Sequence, residues 1–165
     1  MIDDGRGGNQ STLVVGMAPM SEAIRTVVDI EAPPERVWRV ITAFDRFDEW
    51  NPFMVRLSGE REPGAALRMT VSLWGRRVPA DATLLVCEPE VELRWRGPRS
   101  PLLGRVFSGE HFFVLERRGE GTRLLHGEDF DGVVAPLVWR FLEAPLREGY
   151  ARMNDALKAR AESDA

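Results

Sequence analysis

The feature that most constrains the fold is a succession of short segments in which apolar and polar residues alternate. In residues 67–74, for example, Leu, Met, Val and Leu alternate with Arg, Thr and Ser. This period of two is typical of strands that are buried on one face. Proline and glycine turn residues separate the segments, as in an antiparallel meander. The predicted strands are residues 23–30, 53–59, 67–74, 78–87, 91–96, 107–117 and 122–131.

The remaining segments have helical character. Residues 133–161 predict one long helix with a broad apolar stripe, which Pro145 should kink. Two short helices are predicted after the first strand, one beginning at Pro33–Pro34 and the other ending before Pro52. These patterns predict an α+β fold. It consists of a curved antiparallel sheet of about seven strands, two short helices after strand 1, and one long C-terminal helix over a cavity.

Composition limits the function classes. Hydrophobic residues make up 44% of the 165 residues, charged residues 29%, and the net charge is −4. This balance supports a packed core, and it gives no basic face for nucleic acid. No apolar run approaches the length of a membrane span. We therefore expect a cytoplasmic protein with no nucleic-acid partner and no integral membrane insertion.

The two ends of the chain differ in character. Residues 1–20 are rich in glycine at the start and show no sustained period, so we predict a disordered N-terminal tail there. Residues 21–162 should form one ligand-binding domain. Cys87, the only cysteine, has no neighbouring base that would activate it, so we predict a packed thiol.

The last predicted hairpin brings the candidate polar residues together. If residues 118–121 form a four-residue loop, His111 pairs with Glu128, and Phe113 pairs with His126. All four side chains would then lie on the covered face of the sheet. An imidazole beside a carboxylate can act as a general base. The same pair can also hydrogen-bond a ligand or only fix the hairpin register.

Several segments in order resemble the SRPBCC superfamily, the START-like helix-grip group, and its polyketide cyclase/dehydrase-like branch. The resemblance covers about residues 22–160. The segments that carry it are IEAPPERVW at 30–38, WNPF at 50–53, LRWRG at 93–97, GEHFF at 109–113, GTR at 121–123, EDFDG at 128–132 and MNDALK at 153–158.

The resemblance implies a helix-grip fold whose members include cyclases, hydrolases, lipid carriers and chaperone activators. The leading functional hypothesis is binding of a hydrophobic small molecule, either polyketide-like, aromatic or lipid. One alternative is a cofactor-independent cyclase, dehydrase or hydrolase that uses the same pocket. A protein-binding or chaperone-type adaptor is a further alternative, with an unknown protein partner. A fold does not choose among these functions.

The candidate site residues follow from the covered face. His111 and Glu128 are the candidate catalytic pair, as base and orienter. We expect no cofactor and no metal, although two imidazoles and a carboxylate can in principle hold zinc. Tyr150 either projects its hydroxyl towards the cavity or is a surface or packing residue. The loop at 97–104 is interpreted either as a flap over the cavity or as a segment packed on the helix. The predicted ligand-binding residues are His126, Leu67, Met69, Val71, Leu84, Trp95, Phe113, Phe130, Phe141 and Met153.

Overall fold

The computed structural model describes residues 22–163, and the predicted disordered tail lies outside the described residues. The elements, in chain order, are β1 (Glu22–Ile30), α1 (Pro34–Thr42), a 3-10 helix (Phe44–Glu49), β2 (Met54–Ser58), β3 (Ala66–Leu73), β4 (Arg76–Glu88), β5 (Glu92–Gly97), α2 (Pro101–Val106), β6 (Ser108–Arg118), β7 (Gly121–Asp131) and α3 (Ala135–Ser163).

The seven strands form a single sheet in the order β1-β7-β6-β5-β4-β3-β2, and all neighbours are antiparallel. The chain first forms β1 and then crosses to the far edge through α1 and the 3-10 helix. From β2 it returns strand by strand until β7 pairs with β1. The predicted α+β fold is confirmed.

The β6–β7 hairpin has the predicted register. His111 pairs with Glu128, and Phe113 pairs with His126. Gly119, in the turn, has φ of +61°, a left-handed conformation that glycine adopts without a steric penalty. The turn therefore fixes which side chains of both strands face α3.

Helix α3 contacts β1, β3, β7 and α1. It continues through Pro145 without ending. Side chains at 146, 150, 153 and 157 are buried at helical spacing, so this stripe is the face that packs on the sheet. Within the described residues, none of the helices is both long and apolar enough to cross a membrane.

Two expectations about the region around α3 need correction. Residues 101–106, predicted as part of a loop, form α2, because Pro101 occupies the first turn and the Ser100 hydroxyl accepts a hydrogen bond from the Leu103 N–H. Phe141, predicted to line the cavity, is 61% exposed and lies outside it. Leu142, one residue further along the helix, is partly buried and lines the cavity instead.

Candidate functional site

A cavity of about 550 Å³ lies between the sheet and α3. Its wall is mainly apolar, and its polar part includes Glu128, Tyr150 and His111. Trp74 and Leu103 line the cavity although each is more than half exposed, so they form its mouth. Leu102, the neighbour of Leu103, faces solvent. Leu103 thus lies at the cavity mouth and Leu102 does not, and the interpretation of the 97–104 segment as a flap stays a prediction.

Apart from Phe141, which is exposed, the predicted site residues fall into two groups. One group lines the cavity, and the other packs in the core beside it. Alternation along a strand predicts the face on which a side chain lies, but it does not predict how closely the helix approaches that face. The residues that line the cavity are His111, Glu128, Met69, Val71, Trp95 and Phe130. The residues that are fully buried in the core are His126, Leu67, Leu84, Phe113 and Met153.

His111 and Glu128 do not touch directly. Nδ1 of His111 lies 4.0 Å from Oε2 of Glu128, and the Tyr150 hydroxyl lies between them. This hydroxyl is 2.7 Å from His111 Nδ1 and also contacts Glu128 Oε2. The expected base-and-orienter pair is therefore a triad with tyrosine in the centre.

His126 extends this arrangement into the core. Its Nε2 is 3.1 Å from Nε2 of His111, and its Nδ1 is 2.6 Å from Oδ1 of Asn154. The Asn154 amide in turn donates to Oγ1 of Thr26 at 2.9 Å. Tyr150 and Asn154 are four residues apart on α3, and therefore share the face that meets β7.

Sequence reasoning left Tyr150 unassigned and missed Asn154 and Thr26. A usable signal was present, because Tyr150 and Asn154 interrupt the apolar stripe of α3 with polar groups. A polar side chain on a buried face needs a buried partner. Their partners lie on β1, β6 and β7, however, and only the tertiary structure identifies them.

Aromatic rings hold the two imidazoles in place. The Trp95 indole stacks on His111 with centroids 4.5 Å apart, and the Phe113 ring stacks on His126 at 4.3 Å. Both histidines are at most 2% exposed. Ring positions in this part of the site are thus set by packing as well as by hydrogen bonds.

Burial dominates the electrostatics of the site. It lowers the pKa of His126 to about 4 and that of His111 well below its usual value, and the neighbouring His126 lowers the pKa of His111 further. Burial raises the pKa of Glu128 to about 7, with a hydrogen bond to Tyr150 acting against it and the charge of Asp129 adding to it. The pKa of Tyr150 is raised well above its usual value by burial and by Glu128.

The histidines and Tyr150 are consequently neutral near neutral pH, and Glu128 becomes mostly neutral once the pH lies about one unit below its pKa of about 7. Within residues 22–163, no group of three His, Cys, Asp or Glu side chains is arranged to hold a metal ion. What the arrangement offers chemically is a carboxyl group that gains or loses a proton near neutrality, at the end of a hydrogen-bonded chain.

With this geometry established, comparison with known proteins identifies the family. The family model described as "Polyketide cyclase / dehydrase and lipid transport" matches residues 21–162. The chain belongs to this family. No functionally curated protein matches its sequence significantly.

Solved structures agree with the family assignment at the level of the fold. The ZhuI aromatase/cyclase from a Streptomyces species superposes with a TM-score of 0.71 at 16% identity, covering 86% of this chain and 94% of its own. A START superfamily protein from Mycobacterium smegmatis gives a TM-score of 0.67 at 18% identity, with coverages of 87% and 99%. A protein from Thermus thermophilus gives 0.70 at 20% identity, with coverages of 87% and 99%. The predicted SRPBCC, START-like resemblance is thereby confirmed.

Proposed function

We propose that this member of the polyketide cyclase/dehydrase and lipid transport family binds a hydrophobic small molecule, polyketide-like, aromatic or lipid, in the cavity under α3. The observation that carries the proposal is the cavity itself, about 550 Å³ in volume and lined mainly by apolar side chains. This volume is within the range of sites that hold drug-sized ligands. A few polar groups in an apolar wall are also the usual means of orienting a ligand.

The position of the polar groups supports this proposal. His111, Tyr150 and Glu128 line the cavity. The opposite end of this series of hydrogen bonds, at Asn154 and Thr26, lies between the helix and the sheet and away from the cavity. A ligand in the cavity would meet Trp95 and Phe130 on its apolar sides and the Glu128 carboxyl at its polar end. One bound molecule can therefore be held by both apolar contact and a hydrogen bond.

The test is ligand binding with a blocked cavity. Val71 lines the cavity, so Val71→Trp should occupy part of its volume, whereas Val27 is 62% exposed on β1 and Val27→Trp adds the same ring outside. We expect Val71→Trp to weaken binding of a fluorescent naphthalene probe and Val27→Trp to bind like wild type, with both folded by circular dichroism. Equal binding by Val71→Trp and wild type would refute the proposal.

A second candidate function is cofactor-independent cyclisation or dehydration in the same cavity. The observation that favours it is the cavity-facing Glu128, whose pKa of about 7 allows proton transfer in either direction near neutral pH. The assay is aromatic product formation from a synthetic linear poly-β-ketone. Loss of product with unchanged binding in Glu128→Gln would support turnover, and binding without product in wild type would leave only the carrier function.

A further inference from the structure

A chain of hydrogen bonds runs through the site from Thr26 to Glu128, and its donors and acceptors can be assigned from the Thr26 end. Thr26 Oγ1 lies 2.7 Å from the backbone carbonyl oxygen of His126, which can only accept, so the single Thr26 hydroxyl proton is committed there. Oγ1 then accepts from the Asn154 side-chain amide at 2.9 Å. The amide oxygen of Asn154 therefore faces His126, and Nδ1 of His126 must donate to it.

The same assignment of donors and acceptors continues through the two histidines. His126 is a neutral ring with its proton on Nδ1, so its Nε2 is an acceptor. Nε2 of His111, 3.1 Å away, must donate to it. Neutral His111 then has a lone pair on Nδ1, which accepts from the Tyr150 hydroxyl at 2.7 Å. The only proton of the Tyr150 hydroxyl is thus committed to His111.

The last contact requires a proton on Glu128. Its Oε2 touches the Tyr150 oxygen. In this assignment the Tyr150 proton already lies in the bond to His111, so the contact is a hydrogen bond only when the carboxyl group of Glu128 donates. An ionised Glu128 would instead accept the hydrogen bond from the Tyr150 hydroxyl. The Tyr150 oxygen would then have to accept from Nδ1 of His111, which would carry protons on both ring nitrogens. Burial opposes that imidazolium. Reversing the whole chain would require rotation of the Asn154 amide and loss of the bond from Thr26 to the His126 carbonyl.

The other oxygen of Glu128 is left for the cavity. Oε1 lies over Gly109, where a Cβ would overlap it, and both residues line the cavity. With the proton on Oε2, Oε1 is a carbonyl-type acceptor. Among the described residues that line the cavity there is no lysine or arginine, and Asp81 of β4 lies there. An anionic ligand would therefore find no partner of opposite charge.

We propose that the cavity selects uncharged aromatic ligands with a phenolic or enolic hydroxyl, which donates to Oε1 of Glu128 held as a carboxylic acid by the chain from Thr26. The proposal rests on the proposed function, because it names the ligand class of the same cavity. It gives Tyr150, His111, His126, Asn154 and Thr26 a shared positioning role, in which they set where the Glu128 proton is held.

Three small probes test the ligand class by calorimetric titration at a pH about one unit below the Glu128 pKa of about 7. They are naphthol, its methyl ether and naphthoate. One hydrogen bond gives about a threefold to tenfold change in affinity. We expect naphthol to bind tighter than the ether by this factor, and naphthoate to bind weaker than both. A methyl ether that binds as tightly as naphthol, or naphthoate as the tightest ligand, would overturn the proposal.

Two variants of Glu128 separate an acid from a carboxylate. Glu128→Gln keeps one donor for Tyr150 and one acceptor for the ligand, so the preference for naphthol over its ether should persist within about threefold. Glu128→Leu removes both and should abolish that preference. A Glu128→Gln variant that loses the preference as fully as Glu128→Leu would contradict a protonated Glu128.

The direction of the chain has a test that needs no ligand. Nitrogen NMR of the imidazole rings should show neutral His126 protonated on Nδ1 and neutral His111 protonated on Nε2, and a proton on Nδ1 of His111 would overturn the assignment. The binding results also separate this proposal from the proposed function. Equal affinities for all three probes refute the ligand class only, whereas no binding of any probe refutes both.

Discussion

Replacing Glu128 by glutamine should change the pH dependence of stability in a defined direction. The ordinary pKa of a glutamate is 4.5, and in the folded protein burial raises the pKa of Glu128 to about 7. Well below pH 4.5 the carboxyl is protonated in both the folded and the unfolded chain. As the pH rises from 4.5 to 7, the unfolded chain loses the proton while the folded chain retains it, so the free energy of unfolding of the wild type falls.

The magnitude follows from the pKa difference. At about 1.4 kcal/mol per pKa unit, the rise to about 7 corresponds to about 3 kcal/mol. The Glu128 side chain is 20% exposed towards the cavity, which screens part of this effect. We expect a loss of about 2–3 kcal/mol that is complete above pH 7 in the wild type and absent in Glu128→Gln.

The assay is urea denaturation of both proteins, followed by tryptophan fluorescence, from about pH 5 to about pH 8. The stability of Glu128→Gln relative to wild type should increase from about pH 5 to about pH 7 and then stay level up to about pH 8. His111 and His126, whose pKa values are lowered, destabilise both proteins as the pH falls below 6.5, so their effect cancels in the difference. Glu116→Gln, at a side chain that is 58% exposed, controls for the exchange itself.

A difference between Glu128→Gln and wild type that is constant with pH, or that decreases as the pH rises, would refute this reasoning. Either result would mean that Glu128 is not held as an acid in the folded protein.

Two further substitutions test the packing around the site. Asn154→Ala removes the acceptor of the His126 ring and leaves a buried donor unpaired. We expect it to lower the free energy of unfolding by about 1–3 kcal/mol, measured by urea denaturation. A change within about 0.5 kcal/mol would contradict a structural role for this bond. Gly149→Ala would place a Cβ on the ring of Phe53. Although alanine is the better helix former, we expect overpacking to lower the free energy of unfolding by about 1–3 kcal/mol, measured by thermal unfolding. A stabilised variant would show that the ring can move aside.

The sequence predicted the sheet in detail because its rules are local. Alternation assigns each residue of a strand to a face, and the turn at residues 118–121 sets the register of β6 and β7. The facing positions of His111 and Glu128 followed from these two facts. The same reasoning placed Trp95 on the covered face, and the structure places it in the cavity wall.

The long helix was less predictable. A 3.6-residue period indicates an apolar stripe, but a stripe does not show which of its members meet the sheet and which lie beyond its edge. Phe141 was assigned to the cavity and is exposed, whereas Tyr150 had no assignment and is fully buried. Both outcomes depend on where α3 crosses the sheet, which is set by contacts with β1, β3 and β7.

Local sequence patterns thus predicted the α+β fold, the hairpin register and the face that carries the two histidines and Glu128, and the family resemblance predicted the helix-grip arrangement. The position of Tyr150 between His111 and Glu128, and the hydrogen bond from Asn154 to Thr26, depend on how α3 packs on the sheet. The bond between Asn154 and Thr26 joins residues 128 positions apart in the chain. Local periodicity carries no information about such pairs, because they meet only when α3 packs across the finished sheet.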